Sequence, residues 1–137
     1  DLDDFRTHLF RSKRVLALVG AGLSASSRLP TFRDAGGLWR RHRAKDLASP
    51  YTFKKDPVSV WLFYSERRSQ ALQARPNAAH YALAELGKRH EDFLMISQNV
   101  DDLYQRAGHP ESRIKNVHGS IFNIRCTTCS FVDIRNF

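Results

Sequence analysis

Three short stretches of this chain carry residues whose types and spacing could do chemistry. In the first, the apolar run Val15 to Val19 empties into Gly20-Ala21-Gly22, and a small-residue segment beginning at Ser24-Ala25 follows. A strand ending in Gly-x-Gly-x-x-Ala is the opening of a dinucleotide site. Gly20 supplies the tight turn, Gly22 lets a phosphate approach the backbone, Ala25 permits close helix-on-strand packing, and backbone N–H groups face the anion. The same run also fits a plain strand with a glycine turn. In the second stretch, Gln98-Asn99-Val100-Asp101 follows the apolar run Phe93 to Ser97. Polar side chains just beyond a parallel strand sit where open α/β sheets bind ligands, yet Asn and Asp also cap helices, and a helix over 102–107 is expected; both uses are expected, by different residues. The third, Ile114 to Gly119, reads as a short strand ending in His118. An imidazole there suits either proton abstraction or a structural place.

Two further pairs need elements to position them. Cys126 and Cys129, the only cysteines, form a C-x-x-C between two strand-like segments, 121–125 and 131–134. That is a hairpin of the zinc-ribbon kind holding two of the four ligands structural zinc needs, whereas a redox pair would want a strand-to-helix junction. Asp56-Pro57 starts a helix that runs to about Ala74 and sets Tyr64 beside Arg67. From the pattern alone these are a core tyrosine and an exposed arginine. Asn77 caps a second helix to about Arg89, with Ala79, Ala82, Leu83 and Leu86 as its buried stripe and His80 as a surface or packing histidine. Leu2, Phe5, Leu9 and Phe10 predict a short packing helix at the start.

No second buried strand ending in an acidic residue follows the glycines, as a dehydrogenase fingerprint would require. A long irregular loop, Ser26 to Trp39, stands there instead, and loops of that length in a compact domain are usually functional. Gly20-Ala21-Gly22-x-Ser24 with Pro30-x-Phe32-Arg33, then Gln98-Asn99-Val100-Asp101, then His118-Gly119, resemble in order and spacing the three signatures of sirtuins, the NAD-dependent protein lysine deacylases. The resemblance runs from about Leu9 to the C-terminus and covers about half of such a catalytic core. Arg28 stands where the family normally has Gly, and Tyr104 where it commonly has His.

The resemblance implies that Gly20, Ala21, Gly22, Ser24, Pro30, Phe32, Arg33, Trp39, Gln98, Asn99, Val100 and Asp101 bind NAD. Asp101 would hold the nicotinamide carboxamide, and Gln98 and Asn99 would orient the ribose, with Asn99 also counted as catalytic. Phe32 would shield the reacting centre and Arg33 order the loop. His118 would be the general base that deprotonates a ribose hydroxyl as the acyl group passes from lysine to the sugar. Tyr64-Ser65-Glu66-Arg67 resembles the Tyr-x-x-Arg with which one branch reads the carboxylate of succinyl, malonyl and glutaryl groups, and Ala48 resembles that branch's pocket-widening residue. Ordinary deacetylation, or a non-catalytic fragment that binds NAD or zinc, are the other implied readings. Acylated lysine proteins or peptides are the expected partners. Cys126 and Cys129 would bind zinc, completed by ligands from elsewhere.

Bulk properties fit one globular domain. Of the 137 residues 42% are hydrophobic, with Trp, Phe and Tyr spread throughout, which argues against disorder, and 22 basic against 14 acidic residues give a formal charge of +8. The basic clusters at 11–14, 40–45 and 67–68 occur without a recognised docking module, so nucleic acid is not the expected partner. No apolar run reaches membrane-spanning length, and a soluble chain without membrane partners is expected. Asp1 with no signal-like segment reads as a processed start. The compartment stays open, with mitochondrial, cytoplasmic or nuclear locations all admitted by the resemblance. The expected fold is α/β: part of a Rossmann-like parallel sheet (about 9–43 and 91–119), a helical insertion (about 44–90) and the first half of a zinc ribbon (about 120–137). An isolated polypeptide of this length is expected to be inactive.

Overall fold

The computed structural model describes residues 1–31, 38–39 and 42–134. At its centre lies a parallel sheet of three strands in the order β1 (Val15–Val19), β4 (Phe93–Ser97) and β5 (Ile114–Asn116). Val19 pairs with Ser97 and Ser97 with Asn116, so the three strands end in line. The ladder continues one step further, as Gln98 N–H donates to the Val19 carbonyl and Val117 N–H to that of Ser97. The glycine loop, the Gln98 to Asp101 turn and His118 therefore leave the sheet along one edge, where open parallel sheets bind ligands.

One face of the sheet is covered. Val15, Ala17, Val19, Phe93, Met95 and Ile114 pack against Leu83 and Leu86 of α6 (Ala78–Arg89) and Tyr104 of α7 (Leu103–Arg106). On the opposite face of β1, Leu16 and Leu18 are 63% and 67% exposed, although parallel sheets are normally covered on both sides.

The buried face of α6 is turned from the one expected. Ala79 and Ala82 are exposed, while His80, Ala84 and Gly87 are buried with Leu83 and Leu86 half-buried beside them. A count of apolar residues misses this because a buried histidine and a glycine do not read as apolar. Gly87 lets the helix approach the next segment closely: a Cβ there would lie 3.1 Å from His109 Nε2.

Ahead of α6 lie β2 (Leu38–Trp39) and β3 (His42–Arg43), an antiparallel pair, and then α3 (Ala44–Leu47), α4 (Pro50–Lys55) and α5 (Pro57–Gln73). Ser49 and Asp56 cap α4 and α5, each followed by a proline whose missing N–H costs nothing at a helix start. Ala44, Leu47, Val60 and Phe63 form a second core, with Phe53 and Tyr64 against it. Arg106 donates to the carbonyls of Ala71 and Ala74 at 2.8 and 2.7 Å, and Arg68 Nε to that of Ile121 at 3.1 Å. These bonds tie α5 to α7 and to the chain beyond His118.

The N-terminal helix α1 (Leu2–Arg11) forms, capped by Asp1, but none of its residues is buried, so its expected packing role is not realised among the described residues. At the other end β6 (Asn123–Arg125) pairs antiparallel with β7 (Val132–Ile134). Ile121 and Phe122, expected in the first strand, instead form a buried turn against Ala71. No helix among the described residues is long and apolar enough to cross a membrane.

Candidate functional site

The sheet edge carries a nearly buried polar network joining the first two loops. Ser24 Oγ donates to Asp101 Oδ2 at 2.7 Å, and Asn99 Nδ2 donates to the Gly20 carbonyl at 3.0 Å and to Ser24 Oγ at 3.2 Å. Asp101 Oδ1 accepts the Leu103 N–H at 3.1 Å. Asp101 thus accepts from the first turn of α7 through one oxygen and from Ser24 through the other. Asp102, the residue that flanks α7, makes no capping bond with its side chain and has φ 56°.

In the glycine loop, α2 (Gly22–Ala25) is a single turn whose Leu23 and Ser24 amides bond back to the Gly20 and Ala21 carbonyls. A Cβ on Gly20 or Gly22 would meet nothing among the described residues within 4 Å, so these residues leave open space in front of the loop. Left-handed backbone occurs further on, at Arg28 with φ 64°. There a glycine would be unstrained and an L side chain costs about 1–2 kcal/mol. Pro30 and Gln98 are exposed, and Val100 is half-buried with its carbonyl accepting the Ile121 N–H at 3.0 Å. Phe32, Arg33 and the side chain of Trp39 lie outside the described residues.

His118 is exposed, and its Nδ1 lies 2.9 Å from the Gln98 carbonyl oxygen. A carbonyl only accepts, so Nδ1 carries the proton and the Nε2 lone pair is left for a base's work. Gly119, at φ 75°, takes the left-handed turn that a side chain would oppose.

His80, expected as a surface or packing histidine, is the latter. It is fully buried, its Nδ1 accepts the Asn77 N–H at 3.2 Å, and Asn77 caps the same helix in return. Nδ1 must then hold the lone pair and Nε2 the proton. The available signal was the capping-box spacing, Asn77 to His80. Burial lowers the pKa of His80, opposed by the nearby Asp101 charge, and burial also lowers that of His109. The folded state therefore binds fewer protons at these rings than the unfolded chain. Their contribution is complete above the unfolded value near pH 6.5 and is lost as pH falls below it. Asp102, raised by burial, works in the opposite sense: its stabilisation belongs to acid pH and is lost as pH rises through its folded pKa. Thermal melts should give a plateau above about pH 7 and a decline below about pH 6.5, of up to about 1.4 kcal/mol per pH unit for each histidine. A flat profile to pH 5.5 would contradict the buried neutral rings.

Tyr64 and Arg67 come together on α5. Both are half-buried; burial raises the phenol and lowers the guanidinium, and each opposes that shift in the other. The Arg67 guanidinium lies 4.7 Å over the Phe63 ring, a cation–π contact. Tyr64 packs between the α3–α5 core and the cluster of Ala71, Ile121 and Phe122 beside Val100. Tyr64 thus shares a packing cluster with Val100 of the Gln98 to Asp101 turn. Ala48 is exposed at the end of α3.

Cys126 and Cys129 are free and exposed. The Thr128 N–H and hydroxyl bond to Cys126 Sγ at 3.5 and 3.3 Å, and with its other hydrogen bonds they bring the Cys126 thiol down to about 6. Thiolate character suits a soft metal such as zinc. No group of three or more metal-ligating side chains occurs among the described residues.

Comparison with known proteins places this arrangement. The profile of the Sir2 family matches residues 20–136. An NAD-dependent protein deacylase of Candida albicans is 47% identical over 140 residues, covering 99% of this chain and 46% of that protein. The mitochondrial NAD-dependent protein deacylase sirtuin-5 of Danio rerio is 43% identical over 136 residues, covering 96% of this chain and 44% of its own length. A solved complex of a Sir2 homolog with NAD superposes with a TM-score of 0.89 at 42% identity, over 97% of this chain and 51% of that one. The chain spans about half the length of the relatives it matches. On a match that takes in the glycine loop, the Gln98 to Asp101 turn and His118, the chain belongs to the Sir2 family.

Proposed function

We propose that the polypeptide carrying this chain is an NAD-dependent protein lysine deacylase that removes acidic acyl groups, giving nicotinamide and O-acyl-ADP-ribose. The observation that carries the reading is the shared sheet edge, from which the Ser24–Asn99–Asp101 network and His118, its Nδ1 on the Gln98 carbonyl, both leave, with Tyr64 packed on the same Ala71, Ile121 and Phe122 cluster as Val100. The names of the Candida albicans and Danio rerio relatives support the activity, and the solved NAD complex supports the cofactor. The open space before Gly20 and Gly22 fits a phosphate. NAD, when bound, supplies the ribose carbon and hydroxyls between which the acyl group moves.

On this reading the loop from Gly20 to Ser24, with Pro30, Phe32, Arg33 and Trp39, binds NAD, Phe32 shielding the reacting centre and Arg33 ordering the loop at the phosphates. Gln98, Asn99, Val100 and Asp101 orient the nicotinamide ribose. His118 takes a ribose hydroxyl proton at Nε2. Arg67 and Tyr64 receive the acyl carboxylate in the space left by Ala48, where an unpaired charge would be costly to bury. The nucleotide part (9–43 and 91–119), the helical segment (44–90) and the ribbon (120–137) are carried with the proposal. Within it α6 serves the sheet. Acylated lysine proteins or peptides are the partners.

The test is NAD-dependent nicotinamide release by a polypeptide extended to the length of the relatives, with succinyl-lysine and acetyl-lysine peptides compared. A site built to pair a carboxylate should prefer the first by about 10²-fold in kcat/KM. Equal rates would leave ordinary deacetylation. The 137 residues alone are expected to give no turnover, and their doing so would overturn that part. Cys126 and Cys129 would hold zinc as thiolates, shaping the ribbon and taking no part in the chemistry. Metal analysis of the extended polypeptide should find one zinc per chain whose chelation lowers the melting temperature, and a metal-free reversible disulfide would favour redox chemistry instead.

A further inference from the structure

His118 is held by more than its own hydrogen bond. Two residues before it, Asn116 Oδ1 accepts the hydroxyl of Tyr104 at 2.5 Å. Two residues after it, Ser120 Oγ donates to Asp102 Oδ2, also at 2.5 Å. Tyr104 and Asp102 lie on one short stretch, at and just before α7, directly after Asp101. The exposed His118 is thus flanked on both sides by bonds to the segment that begins at Gln98, whose carbonyl takes the Nδ1 proton.

We propose that Asp102 and Tyr104 are positioning residues for His118, gripping its strand at Asn116 and Ser120 so that Nδ1 stays on the Gln98 carbonyl and Nε2 stays the basic nitrogen. The proposal rests on the reading of His118 as the base. Tyr104 is fully buried in the core under the sheet, so its hydroxyl is a fixed anchor. Asp102 is set by its left-handed backbone, which Asp tolerates better than most residues. The phenol is pushed far up, by burial first and then by the charges of Asp102 and Asp101, and so remains a donor. Around an exposed base, whose ring would otherwise rotate and exchange tautomers, such a grip supplies the orientation that the base needs.

The brace is measurable without any turnover. Long-range proton–nitrogen NMR of His118 in the 137-residue chain, at a pH where the ring is neutral, should give the Nδ1–H form as the major tautomer. Ser120→Ala and Tyr104→Phe should each lower the ratio of Nδ1–H to Nε2–H about threefold, and together about tenfold, the scale of one net hydrogen bond. Asp102→Asn keeps the acceptor and the turn and should retain the wild-type ratio. A merely structural role would lower the melting temperature of these variants and leave the ratio unchanged, which overturns the proposal. A wild-type His118 that is mainly Nε2–H overturns it too. Should the double variant unfold, Ser120→Ala alone decides by the same ratio. Failure of the deacylase reading would appear separately, as no nicotinamide release from an extended polypeptide with the tautomer intact.

Discussion

Replacing His118 with alanine is expected to lower NAD-dependent deacylation by the extended polypeptide about 10²-fold or more, the scale on which general-base catalysis is lost, with the melting temperature nearly unchanged. The two halves of this expectation have separate grounds. The ring is exposed and its Nδ1 bond goes to a carbonyl at the open edge of the sheet, so its removal leaves no buried cavity. Among the described residues, His80 near Asp101 offers no substitute: it is buried with its lone pair on Nδ1 and already bonded to Asn77. Steady-state rates and thermal melts on the same preparation check both halves. A large fall in melting temperature with activity retained would make His118 a fold element.

The second large effect is expected from Arg67→Met. Succinyl or malonyl lysine carries a carboxylate that the Arg67 guanidinium can meet with two donors and the Tyr64 hydroxyl with a third. Losing the fork should cost about 3 kcal/mol of transition-state binding for the acidic acyl group, the upper range for a hydrogen bond to a charge. Deacetylation should stay within a few fold. Methionine suits the test because it keeps an apolar stem over the Phe63 ring, where the guanidinium now stacks, so packing loss is kept small. Tyr64→Phe should act in the same direction more mildly. Equal loss with both peptides would show that the pair holds α5 together and leaves acyl choice elsewhere.

Much of this edge could be read from residue order. Strand runs ending in Gly20-Ala21-Gly22, in Gln98-Asn99 and in His118-Gly119 announce a parallel sheet with its ligands beyond the carboxyl ends, and the aligned ends of β1, β4 and β5 follow that pattern. What could not be read was which partner each polar residue would choose. Asp101 and Asp102 are adjacent carboxylates in sequence, yet one divides its oxygens between Ser24 and the α7 amide while the other reaches Ser120. Periodicity failed at His80 for a related reason, since a histidine that caps its own helix and is buried by it scores as polar. Arg28 was legible as a departure from the resembled pattern, and its backbone is left-handed, the conformation in which a glycine would be unstrained.

The Ser24–Asp101 bond spans 77 positions and the Asn99–Gly20 bond 79. No local fragment can make either of them. Both must wait until β1 has found β4 across the whole intervening chain, a loop closure whose entropy is lost before any of the site's own contacts form. The polar network is therefore among the later parts of the native state to assemble, and local helices such as α5 can form well before it. A dinucleotide that contacts both loops would hold together the two ends of that closed loop, and would draw the folding equilibrium toward the native chain by mass action.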